Sequence, residues 1–212
     1  MKLYYMPGAC SLAPHIAFRE AGLPFDLELV DGASKKTKSG EDYMTINPKG
    51  AVPAIRLDNG QVLTEGAAIQ QYIADKAPEK KLAPAAGTTE RYRLQEWLNY
   101  IASEVHKGIG QLFNKAMPDD YRDAVKKGLA AKQLPFLEKA LAGRDYLMGD
   151  FTVADGYLFT VLNWSSATPI DLKGWPALYD YYKRMRQRPS ISKALDEERA
   201  LYAAEQERHK AA

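Results

Sequence analysis

Cys10 is the only cysteine in the 212-residue chain. It stands where a short strand pattern, Lys2 to Tyr5, gives way to a helical one, Leu12 to Ala21. A helix N-terminus carries unpaired N–H groups and partial positive charge, which favour a thiolate on Cys10 or on a thiol ligand beside it. Ser11 adds a hydroxyl donor. Val52-Pro53 opens a later strand. It reads either as a cis peptide whose Val52 backbone pairs with a peptide-like ligand, or as a plain edge-strand proline, and the residues alone favour the second. Thr64-Glu65-Gly66 leads from a strand into a helix. Gly66 at that start exposes N–H groups to a carboxylate, and Glu65 can hold an ammonium, so the pair reads as a receptor for an amino acid zwitterion or as a simple cap. Lys35 and Lys36 read as partners for a second carboxylate or as solvated lysines.

A long helical pattern from Glu90 to Lys115 supplies a fourth group. At about 100° per residue, Leu94, Trp97, Ile101, Val105, Ile109 and Leu112 share an apolar face. Asn99, Ser103, His106 and Gly110 share the opposite one. An amide, a hydroxyl, an imidazole and a missing side chain make the wall of a polar cleft rather than a charged solvent face. His15 and His209 have no such company and read as bland.

The elements that position these residues fall into two halves. Phe25 to Val30 alternates apolar and polar residues, the strand period. Val52 to Leu57 and Gln61 to Leu63 flank the turn Asp58-Asn59-Gly60, which predicts an antiparallel hairpin. Ala67 to Lys76 is helical. The order β-α-β then β-β-α predicts a small mixed four-stranded sheet with a right-handed parallel crossover first. Pro78, Pro84 and Gly87 mark a linker. Beyond it only helical patterns occur: Glu90–Lys115, Tyr121–Ala142, Val153–Ala167, Pro176–Gln187 and a tail from Ile191. Thr152 and Asp155 fit a capping box. The fold class is α/β plus all-α, with domains at 1–80 and 88–212 joined by 79–87.

Composition closes off several functions. Lys and Arg number 29 against 27 Asp and Glu, and no segment is a basic block, so nucleic acid is not expected as a partner. No apolar run reaches the roughly 20 residues of a membrane span, so no membrane partner is expected. One cysteine excludes an internal disulfide and a multi-cysteine zinc site, so no metal is expected. A free thiol and a start that breaks at Pro7-Gly8 suit a cytoplasmic protein.

Gly8-Ala9-Cys10-Ser11, Asn47-Pro48-Lys49-Gly50 with Val52-Pro53-Ala54, and Thr64-Glu65-Gly66-Ala67-Ala68-Ile69 resemble a glutathione transferase. Cys10, with Asn99 and Ser103-Glu104-Val105-His106, is similar to the bacterial beta class. The resemblance spans nearly the whole chain. It implies a thioredoxin-like N-terminal domain, a C-terminal helical bundle domain and a homodimer. It implies Val52-Pro53 as the cis bond that meets the glutathione backbone, with Glu65 and Gly66 on the γ-glutamyl end and Lys35 on the glycine end. Ala9 and Cys10 would lie by the glutathione sulfur, and Asn99, Ser103 and His106 would approach from the helical domain. Glu104 lies off that stripe and would serve the neighbouring subunit. Gly66 stands where many members have serine.

Three functions compete. The first is conjugation of glutathione, as co-substrate, to small apolar electrophiles in detoxification, with Cys10, Ser11 and His106 as the catalytic candidates. Met6, Pro7, Leu112, Phe113 and Met117 are expected to line the electrophile's pocket. The second is glutathione-dependent thiol–disulfide exchange through Cys10, since Ala13 replaces the second cysteine of a Cys-x-x-Cys. The third is a non-catalytic binding protein, disfavoured because thiol and polar wall are both present.

Overall fold

The computed structural model describes residues 1–211, apart from the side chains of residues 202 and 204–211. His209 therefore lies outside the described residues. Two compact units divide the chain, Met1–Leu82 with Arg188–Ala212 and Ala83–Gln187.

The first unit is built on strands β1 (Lys2–Tyr5), β2 (Asp26–Leu29), β3 (Ala54–Arg56) and β4 (Val62–Thr64) in the order β2-β1-β3-β4. β1 pairs parallel with β2, with Leu3 opposite Leu27, and antiparallel with β3, with Leu3 opposite Ile55. β3 and β4 form the predicted antiparallel hairpin. This is the mixed sheet read from the sequence. Helix α1 (Leu12–Ala21) supplies the crossover and stops where expected, at Gly22, whose φ of 66° suits a residue without a Cβ. Helix α3 (Gly66–Lys76) follows β4, and a one-turn helix, α2 (Tyr43–Ile46), lies in the stretch that reads as loop.

α1 packs against α3 on one flank and against the last helix, α10 (Pro189–Ala211), on another. Covered from both sides, it buries even Pro14 and His15. The sequence pattern assigned the tail to the helical domain, whereas its residues from Arg188 onward cluster with the first unit. The ties are polar. Arg188 and Ser190 bond Glu20, and Arg19 bonds Glu197, all across more than 160 residues of chain. No periodicity reports such a partner.

The second unit holds α4 (Thr89–Tyr100), α5 (Lys107–Gly110), α6 (Asp119–Ala131), α7 (Gln133–Leu141), α8 (Val153–Leu162) and α9 (Pro176–Arg186). α8 is apolar on every side and every one of its residues is buried, as a helix without a polar face must be. Its predicted capping box is present. Asp155 is itself buried and accepts from the backbone N–H groups of Leu147 and Thr152, each at 2.9 Å, and from the Tyr181 hydroxyl. The single helix read over Tyr121–Ala142 is two, broken at Lys132 (φ −127°). Pro135 is the cause: its ring would meet the carbonyl four residues back, at Ala131, in a continuous helix. The first long pattern is also interrupted. Ile101–His106, between α4 and α5, is a π-helical segment, and Gln111–Phe113 tightens to 3₁₀ geometry.

Candidate active site

In the first unit the predicted residues gather around the segment Asn47–Pro53. The Val52–Pro53 peptide is cis. The residue before it is pinned: the Ala51 carbonyl accepts from Tyr43 Oη at 2.8 Å and from Asn47 Nδ2 at 2.7 Å. Cys10 is free of disulfide and half-buried, and its thiol donates to the Val52 carbonyl at 3.1 Å. Pro53 faces the start of α3, where a Cβ on Gly66 would stand 3.9 Å from Pro53 Cγ, an ordinary contact. Lys35 Nζ reaches the Gly50 carbonyl at 3.0 Å, whereas Lys36 is exposed and off the cluster. The structure thus separates two lysines that the sequence treats alike.

Glu65 precedes α3 with φ 70°, a left-handed backbone that few non-glycine residues adopt. Its carboxylate holds the ammonium of Lys49, which also reaches Thr64 Oγ1 at 2.9 Å. Glu65 is thus paired within the chain, with Lys49. Lys49 belongs to the Asn-Pro-Lys-Gly motif, and nothing local in the sequence assigns it this role. The first N–H groups of α3 have no carbonyl four residues back and point out of the helix.

The turn carrying Cys10 is tightly bonded. Ala9 N–H donates to Met6, Leu12 N–H to Ala9 and Ala13 N–H to Cys10, at 3.1, 3.1 and 3.2 Å. Ser11 is fully buried. Its hydroxyl donates to the Met6 carbonyl and accepts the Met6 N–H, both at 3.1 Å. Its one proton is used, so Ser11 shapes the turn and is not the thiolate donor expected from its position. Gly8 N–H donates to Glu198 Oε2 at 2.9 Å. The other oxygen of Glu198 meets Nδ1 of His15 at 3.0 Å, and His15 Nε2 lies 3.1 Å from Glu197. His15, read as bland, is a fully buried link from α1 to α10.

In the second unit the stripe on the long helix is partly kept. Ile101, Val105, Ile109 and Leu112 are buried as expected. Opposite them the π-helical segment adds a residue to the turn and rotates the residues beyond it. Asn99 and Ser103 are exposed, and Asn99 spends its amide on the Gln95 carbonyl at 2.9 Å. Glu104 is exposed and takes a long contact, 3.4 Å, from Gln133. His106 alone turns inward. Its Nδ1 lies 2.7 Å from Tyr157 Oη, and its ring meets Trp164 edge-on at 4.9 Å. Phe113 packs on the same Trp164. Burial, with a smaller effect of Lys107, pushes His106 down to about 4, so it is neutral at pH 7.

That shift has a sign. The unfolded chain binds His106's proton near pH 6.5 and the folded chain only near 4, so stability is complete above 6.5 and falls with pH below it. At pH 4.5 the loss is about 2.5 kcal/mol, at about 1.4 kcal/mol per tenfold. Urea midpoints at pH 7 and 4.5 should show a smaller acid loss in His106→Gln than in the parent. Equal losses would remove His106 as an acid-sensitive site.

The first unit thus has a thioredoxin-like sheet with a thiol at the β1–α1 turn, a cis-proline beside it and the Lys49–Glu65 ion pair at the head of α3. The comparisons with known proteins agree. Residues 8–76 match the glutathione S-transferase N-terminal domain and residues 100–189 the C-terminal domain. Glutathione S-transferase GstA of Escherichia coli O157:H7 is 46% identical over 93% of this chain and 98% of its own. A bacterial beta class glutathione S-transferase of Sphingomonas chungbukensis superposes with a TM-score of 0.89 at 45% identity, covering 93% and 98% of the two chains. A sphingomonad glutathione S-transferase solved in complex with glutathione gives 0.90 at 47% identity, over the same shares. A more distant relative, 28% identical over 91% of this chain and 93% of its own, is the disulfide-bond oxidoreductase YfcG of Escherichia coli. The chain belongs to the glutathione S-transferase family and is an enzyme of transferase type. Among the described residues no helix is long and apolar enough to cross a membrane.

Proposed function

We propose that the protein conjugates reduced glutathione to small apolar electrophiles, as a homodimer in the cytoplasm, in detoxification. Glu65 and the head of α3 at Gly66 take the γ-glutamyl end, Lys35 the glycine end, and Val52 the peptide backbone. The sulfur lies by Ala9 and Cys10. Asn99, Ser103 and His106 complete the site, with Glu104 given to the neighbouring subunit. The observation that carries this reading is the Lys49 ammonium on the Glu65 carboxylate beside the open helix start. An aromatic cluster of Trp97, Tyr100 and half-exposed Phe136 supports an interface with a second copy.

Thiol activation is a matter of charge. A free thiol with a pKa near 8.5 is only a few per cent ionised at pH 7. Partial positive charge at the head of α1 and a polar hydrogen bond from His106 favour the thiolate of the bound peptide, and the electrophile is then placed against it.

Glu65→Ala tests the reading. Both Glu65 and Lys49 are exposed, so screening trims the pair in the free protein. Burial under glutathione raises the contribution, and the variant should bind glutathione about 10- to 100-fold more weakly by calorimetry. Unchanged affinity would remove Glu65 from the site.

A second reading coexists with the first. Cys10 is half-buried and in no disulfide, and the oxidoreductase relative supports glutathione-dependent disulfide exchange as a side activity.

A further inference from the structure

His106 is gripped on three sides of its ring. Tyr157 Oη stands 2.7 Å from Nδ1. The Trp164 ring stands edge-on at 73°. Gly110, the next turn along, lies against the same two rings: a Cβ there would stand 3.5 Å from both His106 Cδ2 and Trp164 Cζ3, an ordinary packing contact. Nε2 is the remaining pole of the ring, on the side away from the Tyr157 hydroxyl. Tyr157 comes from α8, buried over its whole length, so the hydroxyl is on a rigid support.

A neutral imidazole has one N–H and one lone pair, and the bond made at one nitrogen decides which it is. A phenol O–H, with a pKa near 10, is a far stronger donor than an imidazole N–H, and an imidazole lone pair is a better acceptor than a phenol oxygen. The pairing O–H···Nδ1 therefore wins over Nδ1–H···O. We propose that Tyr157 is a positioning residue: its hydroxyl donates to Nδ1 of His106, keeps the ring proton on Nε2, and presents that N–H outward as a hydrogen-bond donor to negative charge on the reacting sulfur or the leaving group. In this tautomer His106 has no lone pair to offer the ligand and is not a general base. The inference rests on the transferase reading for what the N–H meets, and on geometry alone for the tautomer.

Nitrogen NMR of ¹⁵N-labelled protein at pH 7 separates protonated from unprotonated ring nitrogens. The parent should show His106 protonated at Nε2 only. Tyr157→Phe keeps the ring and removes the donor, so its His106 should become a mixture of tautomers. With an aryl halide, kcat of the variant should fall about five- to tenfold, the worth of one lost hydrogen bond, with KM for glutathione unchanged. A parent His106 protonated at Nδ1, or a variant with the parent's tautomer, would overturn the proposal. The parent spectrum needs no turnover, so a protein inactive on every electrophile would count against the transferase reading and leave this one to the NMR.

Discussion

Cys10→Ala should lose glutathione-dependent disulfide exchange completely while keeping conjugation within about fivefold of the parent, the size of one neutral hydrogen bond. Exchange begins when the Cys10 sulfur attacks one sulfur of oxidised glutathione. A Cys10–glutathione disulfide forms, the glutathione S–S bond breaks and one glutathione thiolate leaves. A reduced glutathione then attacks the glutathionyl sulfur of that mixed disulfide, forming oxidised glutathione and releasing the Cys10 thiolate. No other cysteine exists to take over. Conjugation asks nothing covalent of Cys10. In the structure its thiol is engaged with the Val52 carbonyl, so it sits beside the Val52–Pro53 segment as a neighbour. Intact mass after incubation with oxidised glutathione should show one glutathionyl adduct in the parent and none in the variant. Loss of conjugation with glutathione binding intact would show instead that Cys10 drives the transfer.

Glu198→Ala should destabilise the protein by about 1–3 kcal/mol, the usual cost of leaving a buried polar group without its hydrogen-bond partner. Glu198 is 3% exposed. One of its oxygens takes the Gly8 N–H and the other meets His15, itself fully buried, so the variant leaves the buried Nδ1 of His15 without this partner. Glu198→Gln keeps an oxygen for Gly8 and offers an amide to the imidazole. It should recover at least half the loss. Chemical denaturation of the three proteins at pH 7 decides this, and a Gln variant no better than Ala would mean that the negative charge, not the hydrogen bonds, is what the site requires.

The sheet was legible because its signals are local. Alternation over Phe25 to Val30, the Asn-Gly turn and the stop at Gly22 each act within a few residues. The positions of Cys10 and Glu65-Gly66 were legible for the same reason, since each marks a helix end, whereas the cis Val52–Pro53 bond was not: its residues alone favour a plain edge-strand proline, and only the family resemblance implies the cis form. What the sequence hid is long-range or collective. Ser11 reads as a free hydroxyl until Met6 folds back on it. His15 reads as bland because its carboxylate partners lie more than 180 residues away. The stripe Asn99–Ser103–His106–Gly110 assumes 3.6 residues per turn, and the π-helical segment breaks that assumption in its middle. The break at Lys132 is the exception, because Pro135 is a local signal for it, masked by the helical periodicity on either side.

The placement of α10 on α1 has a consequence for how the protein is made. The ribosome delivers Met1–Leu82 first, yet the face of α1 that carries His15, Arg19 and Glu20 is closed only by Arg188 to Glu198. At roughly 5–20 residues per second, on the order of ten seconds separate the two. The helical unit emerges in that interval and can close within itself. The thiol-bearing unit, although first in line, is the last to be finished, and a nascent chain stalled before Arg188 presents His15 and an unpaired Glu20 to water.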